Sequence, residues 1–182
     1  VGAFYFPGYA GYSPVTAKNK NKGVSPLQFP TWLLTQFATV AEVKAALNNV
    51  AIVPTVYTPW GLVPPLHYVV YDKAGNSIVI EPINGKLVVY DNPLGVMTNS
   101  PTFDWHMTNL ANYINLSPVN ALPVTVDGVK LQQFGQGAGL HGLPGDFTPP
   151  SRFVRAAVFS STSIPVENAQ QGVFQLFHLD KA

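Results

Sequence analysis

The 182-residue chain has no cysteine, and only 10% of its residues carry charge, against about 25% in a typical soluble domain. Without cysteine, these residues hold no disulfide, no thiolate metal site and no thiol nucleophile, and the redox compartment is left open. The net charge of +1 argues against nucleic acid, which calls for a clustered basic face. The nearest candidate, Lys18-Asn19-Lys20-Asn21-Lys22, reads as a solvated loop. No apolar run approaches the ~20 residues that cross a bilayer, so no membrane role is expected. With 47% apolar residues, the charge deficit points to surfaces covered by further protein rather than by lipid.

Other absences narrow the chemistry. His67, His106, His141 and His178 show no H-x-x-x-H or H-E-x-x-H spacing, so neither a metal nor a cofactor is expected. Carboxylates are few. Asp91, Asp104 and Asp146 read as turn or cap residues, which leaves a paired-carboxylate hydrolase without support. "VGAFYFPG" has no initiator Met and no basic stretch before an apolar one, so it does not read as a signal peptide. It reads as the inside of a strand, and "FQLFHLDKA" as the last turn of a helix. Both ends therefore suggest a piece of a larger chain. The length suits one domain, which buries about 70% of its extended-chain surface.

What is present is an ordered alternation of elements. Residues 1–7 read as a buried strand, 8–26 as a loop, and "PTWLLTQF" as a helix. Thr39 with Glu42 makes a capping box before Val43, Ala46 and Leu47, and Asn48-Asn49 closes that helix. "HYVVYD", "SIVIEPI" and "KLVVYD" form a three-stranded antiparallel meander with a hairpin at Asn84-Gly85. "LGVMT" is the candidate fourth strand. These runs are apolar at nearly every position, so both sheet faces should be covered. Pro101 should open a helix with Phe103, Met107, Leu110 and Ile114 on one face. Further helices are expected from Thr148-Pro149-Pro150 and over about 166–179. The class is α+β, in one compact unit.

"GAGLHG", residues 137–142, matches the dinucleotide fingerprint letter for letter. Leu143-Pro144-Gly145 follows, however, and prevents the helix that should receive a pyrophosphate, so the match reads as a tight loop. His67 and His106 read as packed or hydrogen-bonded structural residues. Asn115-Leu116-Ser117 is a glycosylation sequon of low specificity. Arg152, among Phe153, Val154, Ala156 and Ala157, is expected to be partly buried and paired. On helix pattern alone a structural ion pair leads. Tyr57, Trp60, Leu62 and Leu66 sit on a proline-stiffened loop, as packing residues or as one wall of an apolar ligand pocket. Asn99 divides between turn chemistry and a donor aimed at substrate, with the turn reading ahead.

Two long stretches carry more than local pattern. "DNPLGVMTNSPTFDWHMTNLANYINLSP" and "FGQGAGLHGLPGDFTPPSRFVRAA" closely resemble the choloylglycine hydrolase family of bile salt hydrolases and penicillin V acylases. "GAFYFPGYAGY", "TWLLTQFATVAEVKAAL" and "PPLHYVVYDKAGNSIVIE" fit it in the same order. The resemblance covers nearly the whole chain. It implies the αββα four-layer sandwich of N-terminal-nucleophile hydrolases, with antiparallel sheets and usually a homotetramer. It also implies cleavage of a linear amide by a mature N-terminal cysteine whose α-amino group is the base, its unperturbed pKa lying near ~7.7–8.0. Asn99 matches the asparagine whose amide donates to the oxyanion, and Arg152 the arginine beside the nucleophile. Tyr5 matches a position that is asparagine in many bile salt hydrolases and tyrosine in some penicillin V acylases. Its N–H would be the second oxyanion donor. Tyrosine there leans the substrate towards aromatic acyl groups such as phenoxyacetyl. The Tyr57 to Leu66 loop aligns with a substrate-pocket loop, and residues 135–145 border a segment used in assembly.

The chain departs from the family pattern at both ends. The segment with the cysteine, a neighbouring arginine and an aspartate would lie upstream of Val1, and the C-terminal part of the domain would follow Ala182. "LFHLDKA" also differs from the expected continuation. The chain thus reads as the central portion of one such domain, inactive alone. The expected function is hydrolysis of penicillin V-like or bile-acid-conjugate amides, in the bacterial cytoplasm or periplasm. The alternatives are a non-catalytic binding or assembly fragment of the same fold and an acyl-homoserine lactone acylase.

Overall fold

The computed structural model describes residues 1–180, with side chains as far as Phe177. Lys181 and Ala182, the end of the segment read as a last helical turn, lie outside the described residues. In chain order the elements are β1 (Gly2–Tyr5), β2 (Gly23–Val24), α1 (Phe29–Gln36), α2 (Val40–Ala46), β3 (Ala51–Ile52), β4 (Leu66–Tyr71), β5 (Ser77–Ile83), β6 (Lys86–Asp91), α3 (Phe103–Leu110), β7 (Val124–Val126), β8 (Val129–Leu131), α4 (Pro149–Thr162) and α5 (Ala169–Asp180). They divide into two compact units, 1–105 and 106–182, the division falling inside α3.

The first unit is built on an antiparallel sheet in the order β1-β4-β5-β6. Its β4-β5-β6 meander has the expected antiparallel order, with Tyr68 opposite Ile80 and Ile83 opposite Lys86. Asn84 and Gly85 both take positive φ, 50° and 74°, the pair of left-handed conformations that a two-residue I′ hairpin demands. The fourth strand is not "LGVMT". That stretch makes a turn at Gly95, whose N–H donates to Asn92 O at 3.1 Å, and continues without joining a ladder. β1 takes the place beside β4 instead, Tyr5 pairing with Leu66.

One sheet face carries Tyr68, Val70, Ile78 and Ile80 against Phe29 and Leu33 of α1 and Val40 and Val43 of α2. Phe29 meets Tyr68 edge-on at 4.8 Å, and each such large apolar side chain stabilises by roughly 1.5–3 kcal/mol. The capping box holds α2 in place. Thr39 accepts from the Glu42 N–H, and Glu42 accepts from the Thr39 N–H at 2.9 Å. The Ala38 N–H, which also donates to Glu42 at 2.8 Å, and then the Thr39 N–H keep the Glu42 carboxyl below its usual range. The opposite face buries His67, Val69, Val79 and Glu81. Burial on both sides explains why β4 and β5 read as continuous apolar runs. Beside the sheet, β2 and β3 make a two-residue parallel pair.

The second unit holds a small hairpin and two helices. β7 and β8 are joined by Asp127-Gly128, again both at positive φ. α4 starts at the expected Thr148-Pro149-Pro150 and buries Phe153, Val154, Ala157 and Val158. The Phe153 ring stacks on His106 at 4.7 Å, a packed role for that histidine. The α3 stripe is shorter than its spacing suggests. Phe103 is buried, but the chain tightens to 3-10 geometry at Ala111–Tyr113 and leaves Ile114 82% exposed. Among the described residues no helix is long and apolar enough to cross a membrane.

Candidate active site

β1 is an edge strand, and its pairing decides which way its peptide groups point. Phe6 N–H donates to Pro65 O on the β4 side at 2.8 Å. Antiparallel alternation therefore turns the N–H and C=O of Tyr5 away from β4, towards the open edge. On that edge Asn99 Nδ2 donates to Tyr5 O at 2.9 Å. Ser100 Oγ donates to Pro7 O at 2.9 Å, one step further on. Two consecutive side chains thus tie the Thr98–Phe103 turn to the exit of β1, 94 residues away in sequence. A side-chain amide and a main-chain N–H of Tyr5 converge on one strand edge. Neutral N–H donors fixed in this way can stabilise charge developing on a substrate oxygen.

An aromatic group stands beside this edge. Phe4 and Phe6 point into the fold, so the intervening Tyr5 side chain points outward and is exposed. Its ring lies 6.1 Å from Trp60, which meets Tyr57 edge-on at 5.1 Å. The carrying loop is closed by Tyr57 N–H donating to Leu62 O at 2.9 Å. A left-handed Gly61 ends its short 3-10 turn. Tyr57, Trp60 and Leu62 are exposed, whereas Leu66, expected on the same loop, is the first residue of β4 and is buried in the core. The far end is anchored by Tyr12, a residue that sequence reading passed over. Its hydroxyl donates to Pro64 O and accepts from the Leu66 N–H at 2.8 Å. Burial pushes that hydroxyl up to about 12, against the opposing pull of the Leu66 N–H.

In the second unit, Arg152 sits half-buried in the first turns of α4 and donates from Nε to Phe147 O at 3.0 Å. Asp146 organises the start of this helix, accepting from Thr148 N at 2.8 Å and from Ser151 Oγ at 2.6 Å. The Ser151 hydroxyl, then Thr148, holds the Asp146 carboxyl down to about 2. Arg155 Nη1 reaches back to Pro144 O and Asp146 O, at 2.9 and 2.7 Å. The glycine loop before it is not a phosphate cradle. Asn120 Oδ1 already accepts the N–H groups of Gly137 and Ala138, at 3.0 and 2.9 Å. Gly139 is packed so closely that a Cβ would lie 2.2 Å from Val119 O. The fingerprint match comes from close backbone packing.

Sequence reading missed other residues that shape the first unit. Asp72 takes the N–H groups of Ala74 and Asn76 on Oδ1 and that of Val40 on Oδ2. It thereby ties the β4–β5 turn to α2, and the Asn76 amide leads in holding its carboxyl below the usual range. Asp91, read as a turn residue, is ion-paired with Lys44. Glu81 is fully buried opposite His67. A lone carboxylate inside the apolar run "SIVIEPI" was the available signal. Asp127-Gly128 between valines was the signal for the missed β7–β8 hairpin. Among the described residues no group of three or more metal-ligating side chains comes together.

The whole chain, residues 1–182, matches the model of a family described as linear amide C–N hydrolases, choloylglycine hydrolase family. It is 40% identical over 174 residues to a bile salt hydrolase/transferase of Clostridium perfringens, a match covering 96% of this chain and 53% of that relative. The crystal structure of a mutant conjugated bile acid hydrolase from Clostridium perfringens superimposes with a TM-score of 0.85 at 37% identity, covering 98% of this chain and 54% of that one. Penicillin V acylase from Agrobacterium tumefaciens matches with a TM-score of 0.70 at 26% identity, over 94% of this chain and 45% of that one. The chain thus spans about half the length of these relatives.

Proposed function

The chain belongs to the choloylglycine hydrolase family, and we propose that the protein it forms part of hydrolyses linear amides with an N-terminal cysteine contributed from outside these residues. Here the chain is the central part of a single N-terminal-nucleophile domain, and the whole protein assembles as a homotetramer. The observation that carries the reading is the 2.9 Å bond from Asn99 Nδ2 to Tyr5 O, which sets that amide beside the outward-facing N–H of Tyr5.

The chemistry follows from what an amide demands. The thiolate adds to the carbonyl carbon, and the carbonyl oxygen becomes an oxyanion. Nδ2 of Asn99 and N–H of Tyr5 are the donors to that oxygen, each typically worth ~3–4 kcal/mol of barrier. The cysteine's own α-amino group takes its proton and passes it to the leaving amine. A guanidinium such as that of Arg152 near the sulfur favours thiolate. The acyl group lies along Tyr5, Tyr57, Trp60 and Leu62, whereas Leu66, buried in the core, is no part of that wall. The exposed Tyr5 ring near Trp60 favours a flat acyl group such as phenoxyacetyl over a bile-acid steroid.

Side-by-side turnover of penicillin V, glycocholate and an acyl-homoserine lactone by the full-length protein tests the proposal. Preference for penicillin V is expected. Preference for glycocholate would overturn the substrate reading but keep the reaction. No amide turnover, or activity that survives complete thiol alkylation, would overturn the reaction and leave a binding or assembly role.

A further inference from the structure

Asn99 is held not only at its own amide but at both ends of the turn that bears it. His67 on β4 and Glu81 on β5 are almost entirely buried and lie 3.0 Å apart, Nδ1 to Oε1. The other imidazole nitrogen, Nε2, is 2.9 Å from Thr98 O, immediately before Asn99. Glu81 Oε1 also accepts the Phe103 N–H at 3.0 Å, just after the Ser100-Pro101 corner. We propose that His67 and Glu81 are a positioning pair for catalysis, clamping Thr98 and Phe103 so that the Asn99 amide is presented at the β1 edge. This inference rests on the reading of Asn99 as an oxyanion donor.

Hydrogen-bond bookkeeping constrains the pair closely. A carbonyl oxygen only accepts, so Nε2 must carry the hydrogen that binds Thr98 O. A single proton then lies between Nδ1 and Oε1, and the pair is neutral in sum whichever atom holds it. The ring cannot tilt away, because Phe6 stacks on it at 4.2 Å and Phe4 meets its edge at 6.4 Å. A sheet does not need such a pair to be stable. Apolar residues of similar volume in place of buried charged partners are often neutral or stabilising. Moreover, Glu81 Oε2 is buried with no hydrogen-bond partner among the described residues, a desolvation cost that brings the β4–β5 ladder nothing. What Oε1 does hold is the turn. Both bonds leave the pair for the main chain on either side of Asn99.

The test is a cycle in the full-length protein. His67→Gln keeps a donor at the reach of Nε2 and should retain most of kcat. His67→Asn keeps only the reach of Nδ1 and loses Thr98. It should lower kcat by roughly 10- to 100-fold, with KM changed less than about twofold, as expected for misplacing one group by about an ångström. In an Asn99→Ala background His67→Asn should change kcat no further, since the group it positions is already gone. If His67→Asn keeps its full penalty in that background, or His67→Gln is as damaged as His67→Asn, the clamp is overturned and the reading of Asn99 stands. If Asn99→Ala alone leaves kcat unchanged, that reading fails first, whatever His67 does. Should His67→Asn fail to fold, Phe6→Leu, which frees the ring to tilt, is put through the same cycle under the same criteria.

Discussion

An amide side chain serves catalysis only if its direction is fixed before substrate arrives, and at Asn99 the fixing comes from a main-chain carbonyl. The amide nitrogen has two hydrogens, and the bond to Tyr5 O sets its plane. Removing the side chain should therefore cost much more in rate than in stability. Asn99→Ala is expected to lower kcat by about 10²- to 10³-fold, the loss typical of one oxyanion donor. The stability loss should be about 1 kcal/mol, that of one ordinary hydrogen bond. Single-turnover kinetics alongside thermal melts separate the two. A drop in melting temperature without a drop in rate would return Asn99 to turn chemistry. In the proposed site Tyr5 donates through its main-chain N–H, so Tyr5→Asn should shift the ratio of penicillin V to glycocholate turnover without abolishing either. Loss of both activities would show that the ring itself is required.

At the scale of elements, α4 shows how a short polar sequence fixes the helix that carries Arg152. Asp146 accepts from Thr148 and Ser151, and these bonds hold its carboxyl down to about 2, below the usual ~3.9. A depressed folded-state value means that the carboxylate contributes stability above about pH 4, and that this is lost as pH falls through about 2. Asp146→Ala should accordingly melt below the parent at neutral pH, with the gap closing between pH 4 and pH 2. A gap independent of pH would mean that the helix start does not depend on the charge. The elements themselves were largely legible in the sequence, because their signals are local. The Thr39 box, the Asn84-Gly85 turn and the two prolines after Thr148 each act within four residues. What could not be read there depends on partners far away in sequence. "LGVMT" has strand composition, yet the edge beside β4 is taken by β1, and nothing in either segment says which wins. The role of Glu81 likewise depends on His67 and Phe103, 14 and 22 residues away. The candidate residues Asn99, Arg152 and Tyr5 were assigned their catalytic roles only through the family resemblance, not by any local pattern. The Asn99–Tyr5 bond was not legible, since it joins residues 94 apart.

For the whole molecule, the low charge content acquires a physical meaning. Phe134, Phe147, Ile114 and Leu122 are strongly exposed, and α5 leaves Val173, Phe174, Leu176 and Phe177 more than half exposed. Water-facing apolar surface on this scale is a marker of contact with further protein, and the chain spans about half the length of its bile salt hydrolase relative. In the proposed full-length protein these side chains are covered, partly by the remainder of the same chain and partly by neighbouring subunits. Hydroxyl-radical footprinting of the assembled protein should find Phe134, Phe147, Phe174 and Phe177 protected relative to an exposed tyrosine such as Tyr9. Dilution to the dissociated subunit then sorts them. Residues that stay protected are covered by their own chain, and those that become labelled lie between subunits. Labelling of all four in the assembled protein at the rate of Tyr9 would overturn the argument, because the apolar surface would then be a feature of the finished molecule.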